Sequence, residues 1–176
     1  MEKSILVAGF GGQGVLMVGQ LIGICAYKDD KVATFYPSYG PEQRGGTANC
    51  MTVVSDDEVG FPIMDQHDVF VPMNKVSLVK YQHTLRSGGF LLADESLKGE
   101  EIRTDVHTLF LPADKLAEEA GSLKSRNLVI VGALCRALGM FRYESIEKAV
   151  EEKLGKKKDL LPTNLKALEL GWNYSA

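Results

Sequence analysis

A strand, a glycine loop and a helix follow one another without interruption near the N-terminus, and this succession narrows the fold more than any other feature. Ser4 to Ala8 (Ser-Ile-Leu-Val-Ala) is a short, continuously apolar run halted by Gly9, the pattern of a strand buried on both faces. Gly9-Phe10-Gly11-Gly12-Gln13-Gly14 comes next. Val15 to Tyr27 then carries apolar residues around most of a helical circumference, since Val15, Leu16, Val18, Leu21, Ile22 and Cys25 are too many for one stripe. Such a helix packs deep against a sheet. A strand with two apolar faces needs a covering layer on each, so the opening unit already points to a layered α/β architecture.

The rest of the chain repeats that alternation. Strands are predicted at Lys31 to Tyr36, Thr47 to Ser55, Asp68 to Pro72, Phe90 to Ala93 and Val106 to Leu111. A helix is predicted from an Asn74 cap to about Arg86, broken by Ser87-Gly88-Gly89. Further helices follow at Pro112 to Ala120, Arg126 to Leu138, Ser145 to Leu154 and Pro162 to Leu170, the last with Gly171 just past its end. The expected fold is three-layer α/β/α and Rossmann-like, a mostly parallel sheet with helices on both faces. With 176 residues and no internal repeat or long linker, a single domain over residues 1–176 is expected.

The glycine loop fits G-x-G-x-x-G, whose glycines permit a tight turn, a close backbone approach to phosphate and close helix–strand packing. Two familiar cofactor readings fail on it. A dinucleotide site places a carboxylate at the end of the second strand, where this chain has Tyr36-Pro37-Ser38, and Asp29 and Asp30 precede that strand. A nucleotide P-loop needs Lys and Ser/Thr where Val15-Leu16 stand. An anionic group of some other ligand at the helix start, or simple close packing, are the two readings left.

Composition excludes further classes. Lys+Arg 20 against Asp+Glu 23 gives a net charge of −3, the wrong sign for a nucleic-acid protein. Cys25, Cys50 and Cys135 are too few for the four thiolates an iron–sulfur cluster usually takes, and their scatter reads as reduced thiols in a cytoplasmic protein. No leader and no membrane-spanning run is recognised. His67, His83 and His107 lie too far apart for a local metal site. Asp65, Asp68, Asp94 and Glu95 are expected in turn and cap duty. Cys50 is expected to be buried and inert, and Lys156-Lys157-Lys158 is read first as a solvated loop and second as an anion contact.

The most unusual stretch is Tyr36-Pro-Ser-Tyr-Gly-Pro-Glu-Gln-Arg-Gly-Gly-Thr47. So many conformationally special residues between two strands mark a functional loop. Arg44, followed by Gly45-Gly46, can offer a planar fork to a carboxylate or phosphate, with Glu42 orienting it. Both glycine-rich loops follow strands, so a parallel sheet would bring them to the same edge.

Gly9-Phe-Gly-Gly-Gln-Gly14 together with Tyr39-Gly-Pro-Glu-Gln-Arg-Gly-Gly-Thr47 resembles the gamma subunit of 2-oxoacid:ferredoxin oxidoreductases, a unit that also occurs as an internal domain of pyruvate:ferredoxin oxidoreductase. The likeness continues through Met73-Asn74, Ser87-Gly88-Gly89 and Asn127 to Leu134, with Gln43 standing where the family more often has Met. The resemblance implies oxidative decarboxylation of a 2-oxoacid with coenzyme A, giving acyl-CoA, carbon dioxide and reduced ferredoxin, with 2-oxoglutarate the favoured acid. It implies that thiamine diphosphate, magnesium and iron–sulfur clusters reside in thiamine-binding alpha and beta partners and a ferredoxin-like delta partner. This chain would hold no cofactor alone, and would help enclose coenzyme A as a shared substrate. Its ligand-contacting set would be Gly11, Gly12, Gln13 and Gly14 with Tyr39, Gly40, Glu42, Arg44, Gly45, Gly46 and Thr47, none of them catalytic or metal-binding. The isolated chain would be inactive and would pair with itself through the surface its partners cover. The competing reading is an independent dinucleotide- or flavin-binding domain.

Overall fold

In the computed structural model, which describes residues 1–40 and 46–174, six strands form one sheet: β1 (Glu2–Phe10), β2 (Val32–Tyr39), β3 (Thr47–Ser55), β4 (His67–Pro72), β5 (Leu85–Asp94) and β6 (His107–Leu111), ordered β2-β3-β1-β4-β5-β6. β3 runs antiparallel to both neighbours, whereas β1, β4, β5 and β6 are mutually parallel. The expected mostly parallel three-layer fold is therefore present. Ile5, Leu6, Val7 and Ala8 of β1 are at most 2% exposed, and alternate residues serve different layers. Ile5 and Val7 join α1 (Val15–Lys28), α3 (Ala113–Ala120), α4 (Arg126–Leu138), α5 (Tyr143–Leu154) and α6 (Leu161–Asn173) in the larger core. Leu6 and Ala8 join Leu78 of α2 (Lys75–Tyr81) in the smaller one. Helices thus cover both faces, five on one side and one on the other.

Three boundaries differ from expectation for physical reasons. The helix from Asn74 ends at Tyr81, and Ser87-Gly88-Gly89 lies inside β5 instead of before it. Two steps along β4 (His67 to Val69) face five along β5 (Leu85 to Phe90), and Gly88 takes up the excess at φ +73°; here glycine marks a bulge and not a strand's end. β2 continues through Pro37 to Tyr39, which its place at the sheet edge allows, because an edge strand can spare one outward N–H. Gly171 lies within α6 and does not terminate it. A Cβ on Gly171 would strike the Val129 carbonyl of α4, and one on Gly132 would strike the Leu168 carbonyl of α6. The two helices cross backbone to backbone at these glycines.

Gly171→Ala should therefore destabilise the chain by about 1–3 kcal/mol through forced separation of α4 and α6, despite alanine's better helix propensity; urea unfolding of the purified chain measures it. A second expectation concerns acid. His67 is buried at the start of β4 with its Nδ1 2.9 Å from Ser4 Oγ. Burial, reinforced by the Arg86 charge, pushes its imidazole down to about 4. An unfolded histidine titrates near 6.5, so between about pH 6.5 and 4 the unfolded chain holds the extra proton and stability falls as pH drops. His67→Gln should flatten the stability profile across that window.

Candidate functional site

The two glycine-rich loops meet at one end of the sheet. β1 pairs with β3 so that Phe10 lies opposite Thr47, and Ala48 lies between Gly9 and Tyr39. The Gly11 N–H donates to the Gly46 carbonyl at 2.8 Å, which joins the loops directly. Gly12 and Gly14 adopt φ of +96° and +81°, values that only glycine takes without strain. Gly14 is the residue before α1, so the left-handed turn delivers the chain straight into the helix.

A cavity of about 360 Å³ opens between this turn, the first turn of α1, Tyr39 and Ala48. Gly11, Gly12 and Gly14 line it together with Val15, Leu16 and Met17. The first main-chain bond of α1 runs from the Val18 N–H to the Gly14 carbonyl, which leaves the N–H groups of Val15, Leu16 and Met17 without helical acceptors. The first turn has no acidic residue and no side-chain cap. An anion placed here would meet free donors and the positive end of a fourteen-residue helix.

Met17 also lines a second cavity of about 370 Å³, so the two adjoin. Lys124, Lys153, Lys156 and Lys157 border this second space, above a floor that includes Leu128, Leu154 and Leu160. None of the four lysines makes an ion pair among the described residues. Four uncompensated cations around an apolar floor suit a ligand with several negative charges and an uncharged portion. Lys156 and Lys157 of the lysine run thus border a cavity, and Lys124 and Lys153 join them there, which spacing along the chain does not reveal. Asn127, at the start of α4, brings its amide onto Gly14, so that a Cβ there would force the amide to shift.

The expected ligand-contacting residues fall into four groups. Gly11, Gly12, Gly14 and Tyr39 line the cavity, and Gly46 braces it. Gln13 does not line it; its side chain is bonded to Phe10, Met73 and Asn74. Gly40 and Thr47 are exposed beside it, and Glu42, Arg44 and Gly45 lie outside the described residues. Asp29 accepts from Arg142 Nε at 2.7 Å and Ser145 Oγ at 2.6 Å, so it ties α1 to α5 and is not placed to hold a ribose. Cys50 is fully buried, and burial pushes its thiol up to about 12, which makes it inert. Asp94 caps the turn after β5 through the Ser96 N–H at 3.0 Å.

Residues 4–174 match the model of the pyruvate ferredoxin/flavodoxin oxidoreductase family. The chain belongs to that family. It is 35% identical over 176 residues to ketoisovalerate oxidoreductase subunit VorA of Methanothermobacter marburgensis, covering 99% of this chain and 37% of VorA. It is also 35% identical over 160 residues to 2-oxoglutarate synthase subunit KorC of Methanocaldococcus jannaschii, covering 89% of this chain and 86% of KorC. The chain thus spans little more than a third of the VorA relative and most of the KorC relative. Among solved structures it resembles the gamma subunit of a keto/oxoacid ferredoxin oxidoreductase from Geobacter sulfurreducens (TM-score 0.83, 28% identity, 97% of this chain and 96% of the other). It also resembles the 2-oxoglutarate:ferredoxin oxidoreductase of Magnetococcus marinus with 2-oxoglutarate, coenzyme A and succinyl-CoA bound (TM-score 0.87, 25% identity, 97% of this chain and 30% of the other). The gamma-type unit of the oxidoreductase family is what this chain represents.

The two left-handed glycines separate backbone strain from crowding. Gly12 has open space around it, so Gly12→Ala should cost only the left-handed penalty of about 1–2 kcal/mol. Gly14→Ala adds a collision with Asn127 and should cost clearly more. Parallel urea titrations of the two variants would measure the difference.

Proposed function

We propose that this chain is the gamma subunit of a hetero-oligomeric 2-oxoacid:ferredoxin oxidoreductase, and that its two adjoining cavities hold part of coenzyme A beside the thiamine site of partner subunits. The reaction joins a 2-oxoacid and coenzyme A into acyl-CoA, releases carbon dioxide, and passes the electron pair to ferredoxin. Thiamine diphosphate and iron–sulfur clusters would supply the carbanion and electron-transfer chemistry from the partners. The residues of this chain would bind and orient the thiol substrate.

One observation carries the reading: four lysines without an ion pair among the described residues and a free helix N-terminus border two adjoining cavities. Coenzyme A has a matching division of charge, with phosphates at one end and an uncharged arm ending in the reactive thiol. In this arrangement Lys124, Lys153, Lys156 and Lys157 take the phosphates, and the apolar lining receives uncharged parts of the ligand. The M. marinus 2-oxoglutarate:ferredoxin oxidoreductase has coenzyme A bound, which supports coenzyme A as a substrate of the assembled complex. Arg44 is proposed to contact an anionic part of coenzyme A or of the 2-oxoacid, with Glu42 orienting it. The 2-oxoacid proposed is 2-oxoglutarate, supported by KorC relatives that match over 86% of their own length.

The test is steady-state kinetics of the complex reconstituted with its partner subunits. Lys156→Gln combined with Lys157→Gln should raise KM for coenzyme A at least tenfold, since charged hydrogen bonds contribute about 1.5–3 kcal/mol each, while KM for the 2-oxoacid stays put. An unchanged KM for coenzyme A in an intact complex sinks the site assignment. Tight binding of NAD or FAD by the purified chain would favour the independent dinucleotide- or flavin-binding reading instead.

A further inference from the structure

Gln13 sits within the glycine loop, yet its side chain turns to the framework behind it. Its Oε1 accepts from the Phe10 N–H at 2.7 Å and from Asn74 Nδ2 at 2.8 Å, and its Nε2 donates to the Met73 carbonyl at 3.1 Å. Both lone pairs of the amide oxygen are thereby used. Asn74 is itself committed, because its Oδ1 accepts from the Ser77 N–H at 2.8 Å and caps α2. A Cβ on Gly9 would lie 2.7 Å from Gln13 Oε1, so the strand end is also shaped to admit this amide. One side chain therefore fastens the entry to the loop, the end of β4 and the start of α2.

We propose that Gln13 is a positioning residue that acts without touching ligand, and that Asn74 is its partner. The pair holds the Gly11–Gly14 turn so that the first N–H groups of α1 point into the cavity. The physical need comes from the glycines. Gly11, Gly12 and Gly14 have the widest backbone freedom of any residue type, and holding such a segment in one conformation costs the most entropy. The Gly11 N–H is anchored to Gly46 on one side. On the other, three hydrogen bonds from the one side chain between the left-handed glycines at 12 and 14 supply the restraint. Placed within the loop, a long amide can reach back to the framework while leaving the cavity wall to backbone.

This proposal rests on the reading of the cavity as a coenzyme A site, and its test separates the two. Two variants of the assembled complex are compared. Gln13→Met keeps length and bulk but removes all three polar contacts. Asn74→Asp keeps an oxygen to cap α2 at a position where Asp is favoured, yet removes the Nδ2 donor and sets a carboxylate against Gln13 Oε1. Each should raise KM for coenzyme A about tenfold, the equivalent of misaligning one or two hydrogen bonds, with kcat within about twofold and KM for the 2-oxoacid unchanged. The double variant should be little worse than Gln13→Met alone, because both substitutions break the same contact. A lowered unfolding midpoint with no change in KM for coenzyme A would show Gln13 to be structural only and would overturn the proposal. If Gln13→Met does not assemble, Asn74→Asp decides by the same criterion. If Lys156→Gln with Lys157→Gln raises KM for coenzyme A and neither amide variant does, the positioning role falls and the site reading stands. If none of them does, the site reading falls and takes the positioning role with it.

Discussion

Everything that positions this site depends on the burial of β1. Ile5 through Ala8 are sealed between neighbouring strands on both edges and helical layers on both faces. Such a strand cannot shift by one residue without exchanging its two sets of side chains between two different cores. Its register with β3 fixes where Phe10 and Thr47 meet, and that meeting point is where the glycine loop turns into α1. The cavity lies at the exit of a strand that is buried on both faces and paired on both edges.

Close backbone approaches then set the helices around that exit. Gly19 of α1 lies where a Cβ would come within 2.6 Å of Cys50 Sγ, which holds α1 tight on β3. Gly132 and Gly171 let α4 and α6 cross at backbone distance, and α4 begins with Asn127 resting on Gly14. The glycines outside the Gly9–Gly14 loop therefore matter to it indirectly. They bring the α4 start and the lysine-bearing segments near α1 close enough to adjoin the first cavity.

Sequence reasoning captured the elements better than their junctions. The run Ser4 to Ala8, the deep helix from Val15 and the helix Arg126 to Leu138 were each legible because periodicity and flanking glycines agreed. Gly88 and Gly171 misled for one reason: a glycine can end an element, bulge it, or let another backbone approach, and only the neighbour decides which. Gln13 carried the same ambiguity. Its place in the motif suggested ligand contact, and its partners at Met73 and Asn74 are distant in sequence and invisible to a local pattern. Lys156 and Lys157 read first as solvated charge along the chain, whereas the fold sets them around a cavity with Lys124 and Lys153.

By itself the sequence determined the layer architecture, the glycine turn before α1 and membership of the oxidoreductase family. These properties follow from local chemistry: apolar periodicity, the left-handed freedom of glycine, and two motifs in fixed order. The tertiary structure decided which groups face the cavity and which face the framework. It set β3 antiparallel between β1 and β2, so that the second loop returns beside the first. It gathered four lysines from two separate segments onto one floor of leucines. The physical reason is that hydrogen bonding and charge act through space at a few ångströms, whereas a sequence pattern records only neighbours along the chain.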